Sequence, residues 1–324
     1  MRVNARTLFA VTLITQVWFY AFASTKSQHD QKPAPVLNPT PLGNSSIAQR
    51  AQSGDAKAEY QLGIAYMDGK GIAQNDKEAV KWLRKSAEQN LADAQFALGY
   101  MYEQGRGVHK DYGQARLNYA AAANQGLAIA ANNLGSLYQH GEGVRKDVRK
   151  AAEWYRKAAE EGEVVAQCNL ASLYFRGKGI SKDTAQAASW FRTAAERGFA
   201  PAQENLAWMY YTGTGVNLDF SEASNWVRSA AEQGYAPAQL DLGYLYEQGK
   251  GVSLDYVSAY TWYKAASDRG EHRADPQLKS LSSRMTEPQI RQAAAAAAQL
   301  RKSIPTTASF AVSDSLGGFI PSQH

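Results

Sequence analysis

Five histidines, His29, His109, His140, His272 and His324, are the side chains of this chain best suited to hold a metal or move a proton near neutral pH. Two of them lie in the tails, and no two stand at the helical spacing that a shared metal requires. Cys168 is the only cysteine, so an intramolecular disulfide is ruled out. No histidine lies near it in sequence to serve as its base, and a helix-borne thiol that fills space is the expected role. A Gly-x-Ser-x-Gly elbow and a Ser-x-x-Lys pair are both absent. Gly-x-Gly pairs occur, at Gly69/Gly71, Gly105/Gly107, Gly141/Gly143, Gly177/Gly179, Gly213/Gly215 and Gly249/Gly251. They lack the preceding strand and the following Gly-Lys-Ser/Thr of a phosphate cradle, and such recurrence suits connectors between helices. The residues therefore point to no catalytic centre, no metal and no cofactor.

Binding is better supported than catalysis. Stepping by 36 residues through one position gives Gln61, Ala97, Asn133, Asn169, Asn205 and Asp241. Asparagine is a poor mid-helix residue, because its side chain competes for backbone hydrogen bonds. Three in register and then an aspartate need a reason. Either the amides bond a neighbouring repeat, as buried amides usually do, or they form a ladder for the backbone of a bound peptide. A second position gives Ile64, Tyr100, Ser136, Ser172, Trp208 and Tyr244, and a third gives Met67, Glu103, Gln139, Phe175, Tyr211 and Glu247. Clustered exposed aromatics mark interaction surfaces. Tyr100, Asn133, Asn169, Phe175, Asn205, Trp208, Tyr211, Asp241 and Tyr244 are accordingly the candidate protein-binding residues. The alternative for the aromatics is packing between adjacent helices.

The elements that must position these residues follow from the same period. Leu62, Leu98, Leu134, Leu170, Leu206 and Leu242 are each 36 residues apart, and so are Tyr66, Tyr102, Tyr138, Tyr174, Tyr210 and Tyr246. A fixed period in this range means stacked supersecondary units. In each unit a first helix, helix A, carries Ala58, Leu62 and Tyr66 as a buried stripe in the first repeat. Small residues at the Gly63 position allow close approach of a second helix. Gly69 and its equivalents end helix A in a left-handed cap. Helix B opens on Asn75, Asp111, Asp147, Asp183, Asp219 or Asp255 as N-cap, with Glu78, Gln114, Gln186 or Glu222 placed to close a capping box. Ala79, Trp82, Ser86 and Ala87 form its buried stripe, and Gly126, Gly162, Gly198, Gly234 and Gly270 end it, with Asn90 in the first repeat.

Repeat three shows the full pattern as Leu134, Gly135, Tyr138, Gly141, Gly143, Val144, Asp147, Ala151, Trp154, Ala158, Ala159, Glu160 and Gly162. It resembles the Sel1-like repeats, relatives of the tetratricopeptide repeats, over all six units (55–90, 91–126, 127–162, 163–198, 199–234 and 235–270). The segment Ser283 to Ile290 also looks like the tail that closes such arrays. The resemblance implies an all-α fold, a right-handed αα-solenoid that serves as an adaptor or scaffold for other proteins. Asn118, Asn90 and Ala131 depart from the pattern and predict local loosening around repeat two. Some cysteine-rich relatives have been associated with β-lactam chemistry, but they carry paired cysteines in each repeat and this chain has one in all.

The ends differ from the array. Arg2 and Arg6 precede an apolar run, Leu8 to Ala23, which predicts a signal peptide or a membrane anchor over 1–23 and an exported protein, periplasmic or secreted. Pro33, Pro35, Pro39 and Pro41 predict an extended linker over 24–46. The solenoid with its caps is expected over 47–302, the C-terminal cap over 271–302, and a loose tail over 303–324. Net charge is +5, but lysines and arginines alternate with acids, so a nucleic-acid-binding arm is not expected. A basic patch would have to be assembled by the fold. The expected function is capture of a protein or peptide on the concave helix-A face, with membrane contact only through an uncleaved N-terminal segment. The alternative is a cell-envelope enzyme or ligand-binder acting on peptidoglycan-like or β-lactam-like material.

Overall fold

A computed structural model describes residues 46–304. The expected signal or anchor and nearly all of the linker lie outside these residues, as does the tail beyond 304. A short helix α1 (Ser46–Gln52) precedes six helix pairs: α2 (Ala56–Asp68) and α3 (Asp76–Glu88), α4 (Ala92–Gln104) and α5 (Tyr112–Asn124), α6 (Ala128–His140) and α7 (Val148–Glu160), α8 (Val164–Arg176) and α9 (Thr184–Glu196), α10 (Ala200–Thr212) and α11 (Phe220–Glu232), α12 (Ala236–Gln248) and α13 (Tyr256–Ser267). Two more, α14 (Ala274–Ser282) and α15 (Glu287–Ser303), close the array. From α1 to α14 each helix packs on the next in chain order, as a solenoid requires, and α15 turns back onto α13. The described residues are all-α.

Pairing within a repeat rests on one close contact. Leu83, Tyr119, Tyr155, Phe191, Val227 and Tyr263, again 36 apart, are all wholly or almost wholly buried. A methyl group added at Gly99, Gly135 or Gly243 would lie 2.8, 2.8 or 2.5 Å from the ring of Tyr119, Tyr155 or Tyr263. Where the small residue is Ala171 or Ala207, it shares a buried cluster with Phe191 or Val227. Tyr119 thus belongs to its own column, one residue after the tryptophan position that Asn118 holds. The tryptophan column is less deep than expected. Trp82 and Trp262 are buried, whereas Trp154, Trp190 and Trp226 are half-buried. The Tyr66-type residues are half-buried too, and the hydroxyls of Tyr102, Tyr174 and Tyr210 accept from Arg84, Arg156 and Arg192 of the preceding helix B.

The loops explain both a success and a failure of the cap predictions. All six N-cap side chains of the B helices accept from first-turn backbone N–H groups. The capping box does not close on Glu78, Gln114, Gln186 or Glu222 among the described residues. The N-cap backbone N–H is already committed: Asn75 donates to the Tyr66 carbonyl at 2.9 Å, and Asp111 to Tyr102 likewise. A complete box forms at Thr286 and Gln289, which open α15. From the second repeat on, the second glycine of the loop is required by contact with the repeat before it. A methyl at Gly107 would sit 2.2 Å from the Asp76 carbonyl oxygen, and at Gly251 it would sit 1.8 Å from that of Phe220.

Between repeats, buried glutamines hold the ends of the B helices. Gln167, Gln203 and Gln239 donate to the carbonyls of Ala159, Ala195 and Ala231 at 3.0–3.1 Å. Ala131 cannot, and Lys157 Nζ donates to the equivalent Ala123 carbonyl at 3.0 Å. That substitution offsets the expected loosening. Asn90, the only described non-glycine residue with positive φ (62°), adopts the cap conformation predicted for it. At the far end α15 covers α13, with Leu300 against the cluster around Trp262. The helix runs through Ser303, and Ile304 is buried with its carbonyl bonded to Arg269, so the cap extends two residues past the expected boundary.

Candidate interaction surface

The asparagine row lies in the seam between successive A helices. Residues at one position of a helix A meet those 37 residues on. Asn169 Nδ2 donates to Asn132 Oδ1 at 3.0 Å, and Asn132 in turn donates to Asn133 Oδ1 at 3.3 Å. Asn205 is fully buried and donates to the Pro201 carbonyl at 2.9 Å within its own helix. Asn133 and Asp241 are buried as well, and Asn169 is half-buried. Tyr100 is 8 % exposed and packs with Met67 and Met101. Asn133, Asn205, Asp241 and Tyr100 therefore lie buried in the seam and not on an open surface. The physical reason is that a helix in a solenoid is covered on two sides, by its own helix B and by the neighbouring helix A, so a second face goes inside.

The seam changes character at the C-terminal end. Glu204 and Asp241, each 1 % exposed, stand in the register occupied by Asn132 and Asn169 two repeats earlier. Burial, and next the charge of Asp241, hold the Glu204 carboxyl well above its usual range, while Arg273 draws it down. Burial therefore favours the protonated form of Glu204. Arg273 is itself held by Glu271 through Nε to Oε1 at 2.8 Å. Glu204 was missed in the sequence although a signal exists: its column reads Tyr60, Phe96, Asn132, Cys168, Glu204 and Leu240, and only one member is acidic. Cys168 is fully buried, and burial pushes its thiol far above the ordinary value, which removes the nucleophile. A second buried acid, Glu103, accepts from the Tyr119 hydroxyl, and desolvation pushes its carboxyl up to about 7.

The aromatic band is the part of the candidate site that stays accessible. Phe175, Trp208, Tyr211 and Tyr244 are all half-buried. The Phe175 and Trp208 rings meet nearly perpendicular at 5.5 Å between centroids, and Tyr211 meets Tyr244 at 6.4 Å. Both contacts join residues 33 apart, so the band runs diagonally across three A helices. Phe220, first in α11, adds a third contact to Tyr211 at 5.2 Å. Lys250, from the Gly-Lys-Gly loop, donates to the Tyr211 hydroxyl at 2.7 Å, and its ammonium lies 4.7 Å above the same ring. Burial and the Tyr211 hydroxyl push the Tyr244 phenol up to about 12. The band can thus offer apolar ring faces, two phenols and two cations, Lys250 and Lys182, to a partner. An open cleft of about 770 Å³ lies apart from it, lined by Arg192, Tyr210, Val216, Leu218, Asp219 and Glu222 among others. No cluster of metal-ligating side chains occurs among the described residues.

Comparison with known proteins matches this geometry. The Sel1 repeat model fits residues 56–91, 92–127, 128–163, 164–199, 200–235 and 236–271, one residue later than the boundaries read from the period. No curated protein matches. Among solved structures, a Sel1 repeat protein from Oxalobacter formigenes is 30% identical, covering 76% of this chain and 96% of its own, with a TM-score of 0.63. Protective antigen c5321 of uropathogenic Escherichia coli, which displays an SLR fold, is 26% identical over 82% of this chain and 79% of its own, with a TM-score of 0.44. Immunity protein Pa5087 of Pseudomonas aeruginosa is 19% identical over 66% and 81%, with a TM-score of 0.43. Six consecutive matches of the repeat model, spanning one uninterrupted stack of helix pairs, show that this chain belongs to the Sel1 repeat family.

Proposed function

We propose that this chain is an exported scaffold that captures a protein or peptide on the helix-A side of repeats four to six. Sel1 repeat proteins are in general protein-interaction scaffolds and typically non-enzymatic. The observation that carries the assignment of the face is the half-exposed run Phe175, Trp208, Tyr211 and Tyr244 with Lys250 seated on it. Aromatic side chains anchor interfaces because a large apolar area is buried at small entropic cost, and the phenols and ammonium add directional bonds. Asn169, half-buried in the seam beside this run, is its remaining polar flank. Export rests on the basic, apolar and small-residue order of residues 1–23.

The test is the double substitution Trp208→Ala with Tyr211→Ala, read by crosslinking capture of partners from the source cells. Loss of capture with unchanged circular dichroism supports the face. Retained capture by a folded double variant moves the binding surface elsewhere. Export is checked by fractionation of the cells and N-terminal sequencing of the product. A protein recovered with the cytosol and starting at Met1 overturns it.

A further inference from the structure

The edge formed by the loops between helices A and B carries a second pattern. The loop position five residues past the first glycine holds Gln74, Lys110, Lys146, Lys182, Leu218 and Leu254. All six side chains are exposed, and all six leave the loop in the same way. Each Cβ lies 2.9–3.3 Å from where a methyl on that glycine would be. Consecutive loops touch, because the second glycine of each lies against the start of the preceding helix B. The column therefore forms one continuous edge, lysine in repeats two to four and leucine in repeats five and six.

Both halves point to the same kind of partner. Leu218 and Leu254 are each 58 % exposed, and Leu117 is the only other large apolar side chain so exposed among the described residues. In the lysine half, Asp111, Asp147 and Asp183 turn their carboxylates onto helix N-termini, where the helix dipole takes up their charge. Arg145, Lys146, Lys178 and Lys182 are exposed, with the Lys182 ammonium 5.9 Å from the Phe175 ring centroid. Lys110 rests over Tyr112, with Nζ 4.7 Å from the ring centroid, and stays exposed.

We infer that this loop edge seats the solenoid on an anionic phospholipid bilayer, with Lys110, Lys146 and Lys182 at the headgroups and Leu218 and Leu254 in the acyl boundary. Phosphate headgroups satisfy the lysine row, and leucines on loop tips enter the boundary without needing a walled groove, as a peptide ligand would require. The seating is peripheral, since no described helix is long and apolar enough to cross a membrane. It borders the helix-A face at Lys182 and does not depend on residues 1–23.

The experiment uses the full chain with Leu254→Cys, labelled with an environment-sensitive fluorophore. Cys168 is fully buried and leaves the new thiol as the reactive one. Vesicles of phosphatidylcholine with phosphatidylglycerol are expected to shift the probe to the blue, and vesicles of phosphatidylcholine alone are not. A probe on Glu161→Cys, at the opposite loop edge, is expected to stay unmoved. Adding Lys110→Gln, Lys146→Gln and Lys182→Gln should weaken the response roughly 100-fold, at about fivefold per lysine. A probe at 254 that remains in water on anionic vesicles overturns the inference, including when residues 1–23 alone hold the chain there. So does an equal response on neutral vesicles, or one the lysine variants leave intact. A shift caused by a glutamate-rich, leucine-bearing peptide and not by vesicles assigns the edge to a protein and likewise overturns it.

Discussion

Helices A of repeats three and four meet through amides, Asn132 and Asn169, while those of repeats five and six meet through acids, Glu204 and Asp241, in the same register. The amide pair satisfies itself at any pH, with one group donating and the other accepting at 3.0 Å. The two acids can bond each other only when one carboxyl holds a proton, and the charge of Arg273 offsets part of theirs. One fold thus tolerates two solutions at one contact, and only one of them makes stability depend on pH. The difference teaches that a repeat position is constrained by volume and by a closed hydrogen-bond account, with charge free to vary where a proton can be kept.

The strongest way to break this comparison is to move the acids. Asn132→Asp with Asn169→Asp places two carboxylates in the third seam without an arginine beside them. A loss of about 3–5 kcal/mol is expected at pH 8, read as a lower Tm, with much of it recovered near pH 4. A pH effect of the same sign is expected in the native chain at Glu103. Burial pushes its folded carboxyl up to about 7 from an ordinary value of 4.5, so the unfolded chain releases its proton first as pH rises. The penalty is absent below about 4.5 and grows until pH passes 7. Glu103→Gln, which still accepts from Tyr119, should therefore raise stability above pH 7 by about 2 kcal/mol and have little effect at pH 4.

A smaller effect sharpens the comparison directly. Glu204→Gln installs in the fifth seam the amide that the third already has, and its Nε2 can donate to Asp241. The Glu204 carboxyl is raised in the folded state, so its contribution falls as pH climbs above the unfolded value of 4.5. The variant should gain a few degrees of Tm at pH 8, roughly 1 kcal/mol, and match the parent at pH 4. A uniform shift at both pH values would refute the proton in this seam. The least effect belongs to the band. Phe175→Ala, which loses the perpendicular contact with Trp208, should cost about 1 kcal/mol in chemical denaturation, and Gln139→Ala at the same position one repeat earlier about zero.

Most of the fold was legible, because period, glycine and N-cap residues all state local backbone rules. Asp147 before a helix and Gly141 after one mean the same thing in any context. What remained hidden was decided between elements. The sequence shows that Asn133 and Asn205 share a position, but not that this position faces the next helix A rather than solvent. Both faces carry mixed residues, so their hydrophobic pattern does not distinguish seam from surface. The failed capping boxes have the same origin, since the bond from Asn75 to the Tyr66 carbonyl spans a whole loop. The Tyr119 column was obscured by the more conspicuous tryptophans one residue earlier.

The second loop glycines have a consequence for how such a chain can change. Because Gly107, Gly143, Gly179, Gly215 and Gly251 each abut the backbone of the preceding repeat, a loop cannot gain or lose a residue without pushing its neighbour away. Contacts between repeats instead recur at separations such as 30, 37 and 39 residues, from Arg106 to Asp76, Asn169 to Asn132 and Lys250 to Tyr211. Excising or copying 36 residues anywhere inside the array rejoins two surfaces that already fit. Unequal crossing-over between repeats is therefore the step this architecture absorbs, and single-codon insertion the step it rejects, which accounts for six units of one length in an unbroken row.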